Sequence, residues 1–134
     1  MGYHILIVDD NRIIRSMARR AVTMSSLPIS SMVEAENGQV ALERMRAGGV
    51  DLVLLDINMP VMNGEEFLTV LRQDAALKPT PVIVVSTESN IQRIARLRAM
   101  GAVFVHKPFK PEELVAAVNR LMVFMKPDAG AAHV

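Results

Sequence analysis

The sequence predicts an α/β protein: a doubly wound, five-stranded parallel sheet with five helices. Three observations carry that expectation. Short runs rich in Val, Ile and Leu alternate five times with segments whose apolar residues recur at helical spacing. The run Val53-Leu54-Leu55 is apolar without interruption, as a strand covered on both faces must be. Polar, ionisable residues then gather directly after the runs, where open α/β sheets bind ligands.

The first strand, His4-Ile5-Leu6-Ile7-Val8, runs into Asp9-Asp10. Asn11 can cap a helix with apolar positions Ile14, Met17, Ala18, Ala21 and Val22, which Leu27-Pro28 ends. A second strand from Ser31 to Ala35 stops at the turn signal Asn37-Gly38. The next helix carries Val40, Ala41, Leu42 and Met45, and Gly48-Gly49 closes it before the central strand. Asp56 follows that strand, and Pro60 makes the continuation a loop. Asn63-Gly64 then turns the chain into a helix with Phe67, Leu68 and Leu71 on one side. Pro79 and Pro81 bracket the fourth strand, Val82 to Val85, which ends in Ser86-Thr87. Ser89 or Asn90 caps a helix running through Met100, with Gly101 as its stop. Val103 to His106 is the last strand, ending at Lys107-Pro108. Pro111 opens the last helix, with Glu112 and Glu113 near its positive end and an apolar face of Leu114, Ala117, Val118, Leu121 and Met125.

At 134 residues the chain suits one domain with its own core, and it shows no internal repeat. The absence of cysteine excludes disulfides and thiolate metal sites. No apolar run is long enough to span a bilayer and no charged-then-apolar leader opens the chain, so a cytoplasmic protein without membrane contact is expected. The net charge of +1 and the lack of Trp argue against nucleic acid as a partner. Arg12, Arg15, Arg19 and Arg20 read as a solvated helix face, and most of the ten methionines as packing.

In such a sheet all carboxyl ends lie along one edge. Asp9, Asp10 and Asp56 therefore converge with Ser86, Thr87 and Lys107, although each alone reads as a cap, a turn or a surface charge. Three clustered carboxylates repel one another, and a hard divalent cation relieves them; an all-oxygen set favours Mg²⁺. Asp10 and Asp56 are its expected ligands, with Asp9 binding directly or through water and the main-chain carbonyl of Asn58 adding an oxygen. A carboxylate beside Mg²⁺ and a lysine suits acceptance of a phosphoryl group. Asp56 is the nucleophile in this reading, Lys107 pairs with one phosphoryl oxygen and Ser86 hydrogen-bonds another.

Ile7-Val8-Asp9-Asp10, Leu55-Asp56-Ile57-Asn58-Met59-Pro60 with Asn63-Gly64, Pro81 to Ser86, and Lys107-Pro108-Phe109 together resemble the receiver family of response regulators, in its stand-alone chemotaxis type. The resemblance spans Tyr3 to about Met125. It implies a flavodoxin-like fold with strand order 2-1-3-4-5; that order is the family's known one and comes from the resemblance alone. It implies a receiver domain over residues 1–126, with 127–134 as a disordered C-terminal tail, and a cis Lys107-Pro108 bond. Asp56 would take phosphate from a histidine kinase. The switch would be Ser86, with Thr87 as the alternative hydroxyl, together with Phe104 turning inward. The signal would leave through the fourth helix, fifth strand and fifth helix to a protein target in trans, the flagellar motor or another signalling protein, from a monomer that is not an enzyme.

The turn from Gly101 to Phe104 is about one residue shorter than the family's. Asn58 and Glu88 stand where the family tunes hydrolysis, and their polarity implies a short-lived phosphoryl group. His106 reads as an outward strand residue. Two other readings compete: a magnesium-dependent phosphatase with an aspartyl nucleophile, which would want a carboxylate where Asn58 stands, and a receiver-like interaction module that is never phosphorylated.

Overall fold

The computed structural model describes residues 2–125. Strands β1 (Tyr3–Val8), β2 (Ile29–Ala35), β3 (Leu52–Leu55), β4 (Val82–Ser86) and β5 (Val103–His106) alternate with helices α1 (Arg12–Met24), α2 (Gly38–Arg46), α3 (Gly64–Gln73), α4 (Ile91–Ala99) and α5 (Pro111–Met125). All strand pairs are parallel, in the order β2-β1-β3-β4-β5. Both the expected fold class and the order carried by the resemblance are found.

Successive strand residues point to opposite faces, so the apolar runs build two cores rather than one. Leu6, Val8, Val53, Leu55 and Val84 pack with Ala41, Leu42 and Met45 of α2, Phe67, Leu68 and Leu71 of α3, and Leu97 of α4. Ile5, Ile7, Leu52, Leu54, Ile83 and Val85 pack with Ala18, Ala21 and Val22 of α1 and Leu114, Val118 and Met122 of α5. That division is the physical content of a doubly wound sheet.

Asparagine begins four of the five helices. The side-chain oxygens of Asn11, Asn37, Asn63 and Asn90 accept backbone N–H groups in the first turns of α1, α2, α3 and α4, each worth roughly 1 kcal/mol. Asn63 and Glu66 form a reciprocal capping box. Asn37 and Asn63, expected only to mark turns, are thus caps, and Asn90 rather than Ser89 caps α4. At the other end of α4, Gly101 has φ +84, its N–H donates to the Arg98 carbonyl, and Ala102 N–H donates to the Leu97 carbonyl. This Schellman turn packs Ala102 close to Leu97 and returns the chain at once into β5, which accounts for the short connection. The Lys107-Pro108 bond is cis, as expected.

Two expectations about α1 are corrected. Met17 is exposed rather than core, because the buried stripe of α1 is the narrower Ala18, Ala21 and Val22. The arginine cluster is only partly a solvated face. Arg15 Nε pairs with Glu34 Oε1 at 2.7 Å, and Arg19 Nη1 with Glu34 Oε2 at 3.2 Å, because α1 lies across β2 within reach of long side chains. The Met125 side chain and the 127–134 segment lie outside the described residues. Among the described residues no helix is long and apolar enough to cross a membrane.

Candidate functional site

Register places the acids. Val8 of β1 is paired with Leu55 of β3, so the next residues, Asp9 and Asp56, emerge side by side. Asp9 N–H donates to the Ala35 carbonyl at 3.1 Å and Asp56 N–H to the Val8 carbonyl at 2.9 Å, extending the ladder by one step and fixing both Cα positions. Carboxylate oxygens of Asp9, Asp10 and Asp56 lie within 4.8 Å of one another. Asp9 and Asp56 are 3% and 6% exposed, whereas Asp10 faces solvent.

Lys107 follows β5, anchored by its N–H donating to the Ser86 carbonyl at 2.9 Å. Its Nζ crosses the edge to Asp9 Oδ2 at 2.7 Å and Asp56 Oδ1 at 3.3 Å. The other oxygen of Asp9 accepts Asn11 N–H at 2.8 Å. Both carboxylate oxygens of Asp9 are thus engaged, and the Lys107 contact to Asp56 is the longer of the two. Burial, and next the Asp9 charge, push the Asp56 carboxyl above the usual carboxylate range; Lys107 acts in the opposite direction. A buried carboxylate whose charge is only partly compensated will gain from any further positive charge. The donor set, three carboxylates and no sulfur, fits Mg²⁺.

Ser86 is fully buried at the end of β4, and Thr87 beside it is exposed. Ser86 Oγ accepts Glu88 N–H at 3.1 Å, which aims the hydroxyl along the β4–α4 loop. Phe104 is half-buried against the α2–α4 core, with its ring edge-on to exposed His106, centroids 4.6 Å apart.

Three residues have roles at the site that the sequence reading did not assign. Gly64 opens α3 against the back of the site: a Cβ there would meet the Asp56 carbonyl oxygen, the Asp56 carbonyl carbon at 2.9 Å and Ile57 Cα at 2.8 Å, so only glycine lets the helix approach this closely. Its place after Asn63 was the available signal. Arg15 Nη1 donates to the Asp9 carbonyl at 2.7 Å, tying β2 and α1 to the acid. Arg93 of α4 bonds Glu88 and reaches toward Asn58; nothing in local sequence pattern announces it. Between Asp56 and Gly64 the loop turns sharply: Met62 N–H donates to the Pro60 carbonyl across Val61, whose φ of 69 is unusual for a β-branched residue.

Fold and edge define the class: a doubly wound parallel sheet that sets a carboxylate cluster and a cross-edge lysine at its carboxyl ends. The response regulator receiver domain model matches residues 5–119, and the chain belongs to that family, the receiver domains of two-component signalling. It is 32% identical over 123 residues to the chemotaxis protein CheY of Thermotoga maritima, covering 90% of this chain and 98% of that one. It is also 32% identical to the response regulator MprA of Mycolicibacterium vanbaalenii, over 99% of this chain but only 56% of MprA's length. The chemotaxis protein CheY4 of Vibrio cholerae superposes with a TM-score of 0.77 at 30% identity, over 90% of this chain and 99% of that one.

Proposed function

We propose that this chain accepts a phosphoryl group on Asp56 from the phosphohistidine of a histidine kinase, with Mg²⁺, and signals through the α4-β5-α5 face. The observation that carries this reading is Lys107 Nζ bridging Asp9 and Asp56 in a cluster of three carboxylates at the sheet's carboxyl edge. An Asp56 oxygen forms a bond to phosphorus as the bond from phosphorus to the donor imidazole nitrogen breaks. The electron pair returns to the ring, which is then protonated by solvent. Asp10 and Asp56, with Asp9 directly or through water and the Asn58 main-chain carbonyl, would hold Mg²⁺, which would neutralise phosphoryl charge.

Lys107 exchanges its long contact with Asp56 for a phosphoryl oxygen. Ser86, the buried hydroxyl, gives up Glu88 N–H and donates to another oxygen, and Phe104 moves into the space this vacates. Thr87, facing solvent, is the less suited switch. Ile13, Val61 and Ile91 are 70, 80 and 82% exposed and lie on segments that follow the carboxyl ends of β1, β3 and β4. Large apolar side chains around a buried acid suit a protein donor better than a small phosphate ester. On the output side, Phe104, His106, Pro108, Ala117 and Leu121 line a groove of about 450 Å³ along β5 and α5, suited to a protein target. Similarity over 98% of the Thermotoga CheY supports a chemotaxis role; the longer MprA supports the broader one of any response regulator output.

Incubation with acetyl phosphate and Mg²⁺, followed by intact mass and peptide mapping, tests the proposal. One phosphoryl group is expected, on Asp56, absent from Asp56→Asn and absent without divalent cation. An unlabelled Asp56 under all donors refutes it, and continuous turnover of a small phosphate ester would favour the phosphatase reading.

A further inference from the structure

Helix α4 is fastened differently at its two ends. Its first turns are held by ion pairs: Arg93 Nε to Glu65 Oε1 at 3.0 Å, Arg93 Nη1 to Glu88 Oε1 at 2.9 Å, and Arg96 Nε to Glu65 Oε2 at 2.9 Å. Glu88 N–H donates to Ser86 Oγ, so this end is wired to the loop that leaves the site. The last turn is held by one side chain from α3. Arg72 Nε donates to the Met100 carbonyl at 2.7 Å, and Arg72 Nη1 to the Lys78 and Thr80 carbonyls at 2.9 and 2.7 Å.

The sequence creates the need for that side chain. Pro79 and Pro81 bracket Thr80 and have no N–H to donate, so the nearby carbonyls are met by a donor from outside. The Pro81 carbonyl accepts Val53 N–H at 3.1 Å where β3 and β4 begin to pair. Arg72 therefore ties the end of α4 to the amino edge of the sheet, opposite the edge that carries Asp9, Asp56 and Lys107. At Met100 the tie meets the Schellman turn, which folds over Leu97, the one residue that α4 buries. A Cβ on Gly101 would lie 3.8 Å from Arg72 Nη2, so the guanidinium sits directly against this turn. Bonds to neutral carbonyls at the far edge are little affected by charge gained at the acids, whereas ion pairs beside the site respond to it.

We propose that Arg72 is a positioning residue that makes Met100 and Gly101 the pivot of α4. Phosphorylation of Asp56 then swings the N-terminal end of the helix and leaves its C-terminal end, and the entry to β5, in place. The inference rests on phosphorylation of Asp56 and on α4 as part of the signalling face; it adds which end moves and which residue decides. Lysine cannot take over this role. Its single ammonium lacks the planar fork that serves Met100 with one nitrogen and Lys78 and Thr80 with another.

The chain has no cysteine, so introduced cysteines carry nitroxide labels without interference. One label goes on α1, on the other face of the sheet, through Arg20→Cys; the second goes on α4 through Gln92→Cys or Arg98→Cys, all three positions being exposed. A helix rising about 1.5 Å per residue puts Gln92 about 12 Å and Arg98 about 3 Å from Met100, so a pivot there moves Gln92 about fourfold farther. Inter-label distances are measured before and after loading with acetyl phosphate and Mg²⁺, with intact mass reporting the phosphoryl group. The expected result is that ratio of shifts with Arg72 present, and shifts of equal size at both positions once Arg72→Lys is added. A merely structural arginine would lower the Tm in Arg72→Lys and leave the ratio as it was, which overturns the proposal. Equal shifts with Arg72 present, or no shift at Gln92 in a fully phosphorylated protein, overturn it too. Should Arg72→Lys not fold, hydrogen exchange of the wild type decides. Gly101 and Ala102 amides equally protected before and after phosphorylation support the pivot, and protection lost on phosphorylation overturns it. A protein that never gains the phosphoryl mass defeats the underlying reading and the inference with it, an outcome that the mass alone identifies.

Discussion

Helices α3 and α4 lie on the same side of the sheet and are attached to it by different physics. Helix α3 buries Gly64, Phe67, Leu68 and Leu71 and starts from a capping box, with Gly64 pressed against the Asp56 backbone. Helix α4 buries one residue, Leu97. Its other ties are polar: Arg93 and Arg96 to Glu65 on α3, Arg93 to Glu88, and Arg72 of α3 donating from Nε to the Met100 carbonyl at 2.7 Å. Arg72 also bonds the Lys78 and Thr80 carbonyls, so it joins three segments with no carboxylate partner among the described residues, and burial lowers its proton affinity. Apolar burial is indifferent to charge, whereas ion pairs and hydrogen bonds are not. The helix that backs the acid is therefore anchored by contacts a phosphoryl group leaves alone. The helix that would face a target in the proposed function is held by contacts a phosphoryl group can rewrite.

The sharpest way to break this contrast is to truncate each helix's anchor. Phe67→Ala should cost about 3–5 kcal/mol of global stability, read by denaturant unfolding with an unchanged slope. Leu97→Ala should cost less globally, about 2–3 kcal/mol, and in addition raise hydrogen exchange selectively in α4. Equal global losses with no selective exchange in α4 would erase the distinction.

A smaller effect concerns the acid itself. Because the folded protein raises the Asp56 pKa, it binds that proton more tightly than the unfolded chain does. The metal-free protein therefore loses stability as pH rises from the ordinary Asp range through the raised value, and the full penalty is present above it. Asp56→Asn should stabilise the metal-free protein at neutral pH by on the order of 1–2 kcal/mol, a gain that vanishes in acid where Asp56 is protonated in both states. Thermal melts across pH check this. Adding Mg²⁺ should raise the wild-type Tm in a saturable way and close the gap.

How much of this was legible from the residues follows from the same contrast. Strand runs, helix stripes and the meeting of Asp9, Asp56 and Lys107 at one edge follow from periodicity and parallel topology, which local pattern encodes. Arg15 and Arg19 on Glu34, Arg93 on Glu88, and Arg72 on carbonyls of two other segments depend on how far long side chains reach across helices whose separation no pattern specifies. Met17 illustrates the same limit from the apolar side, since helical spacing names a face without fixing its width. The closeness of Gly64 to Asp56 is a tertiary approach that a turn signal only hints at.

The most direct measurement is hydrogen exchange of the Asp56-phosphorylated protein against the unmodified one, both with Mg²⁺, resolved by peptide over α3 and α4. The expected result is altered protection in α4 and the β4–α4 loop with α3 from Phe67 to Leu71 unchanged. Equal changes in both helices, or none in α4 despite full labelling, would contradict it.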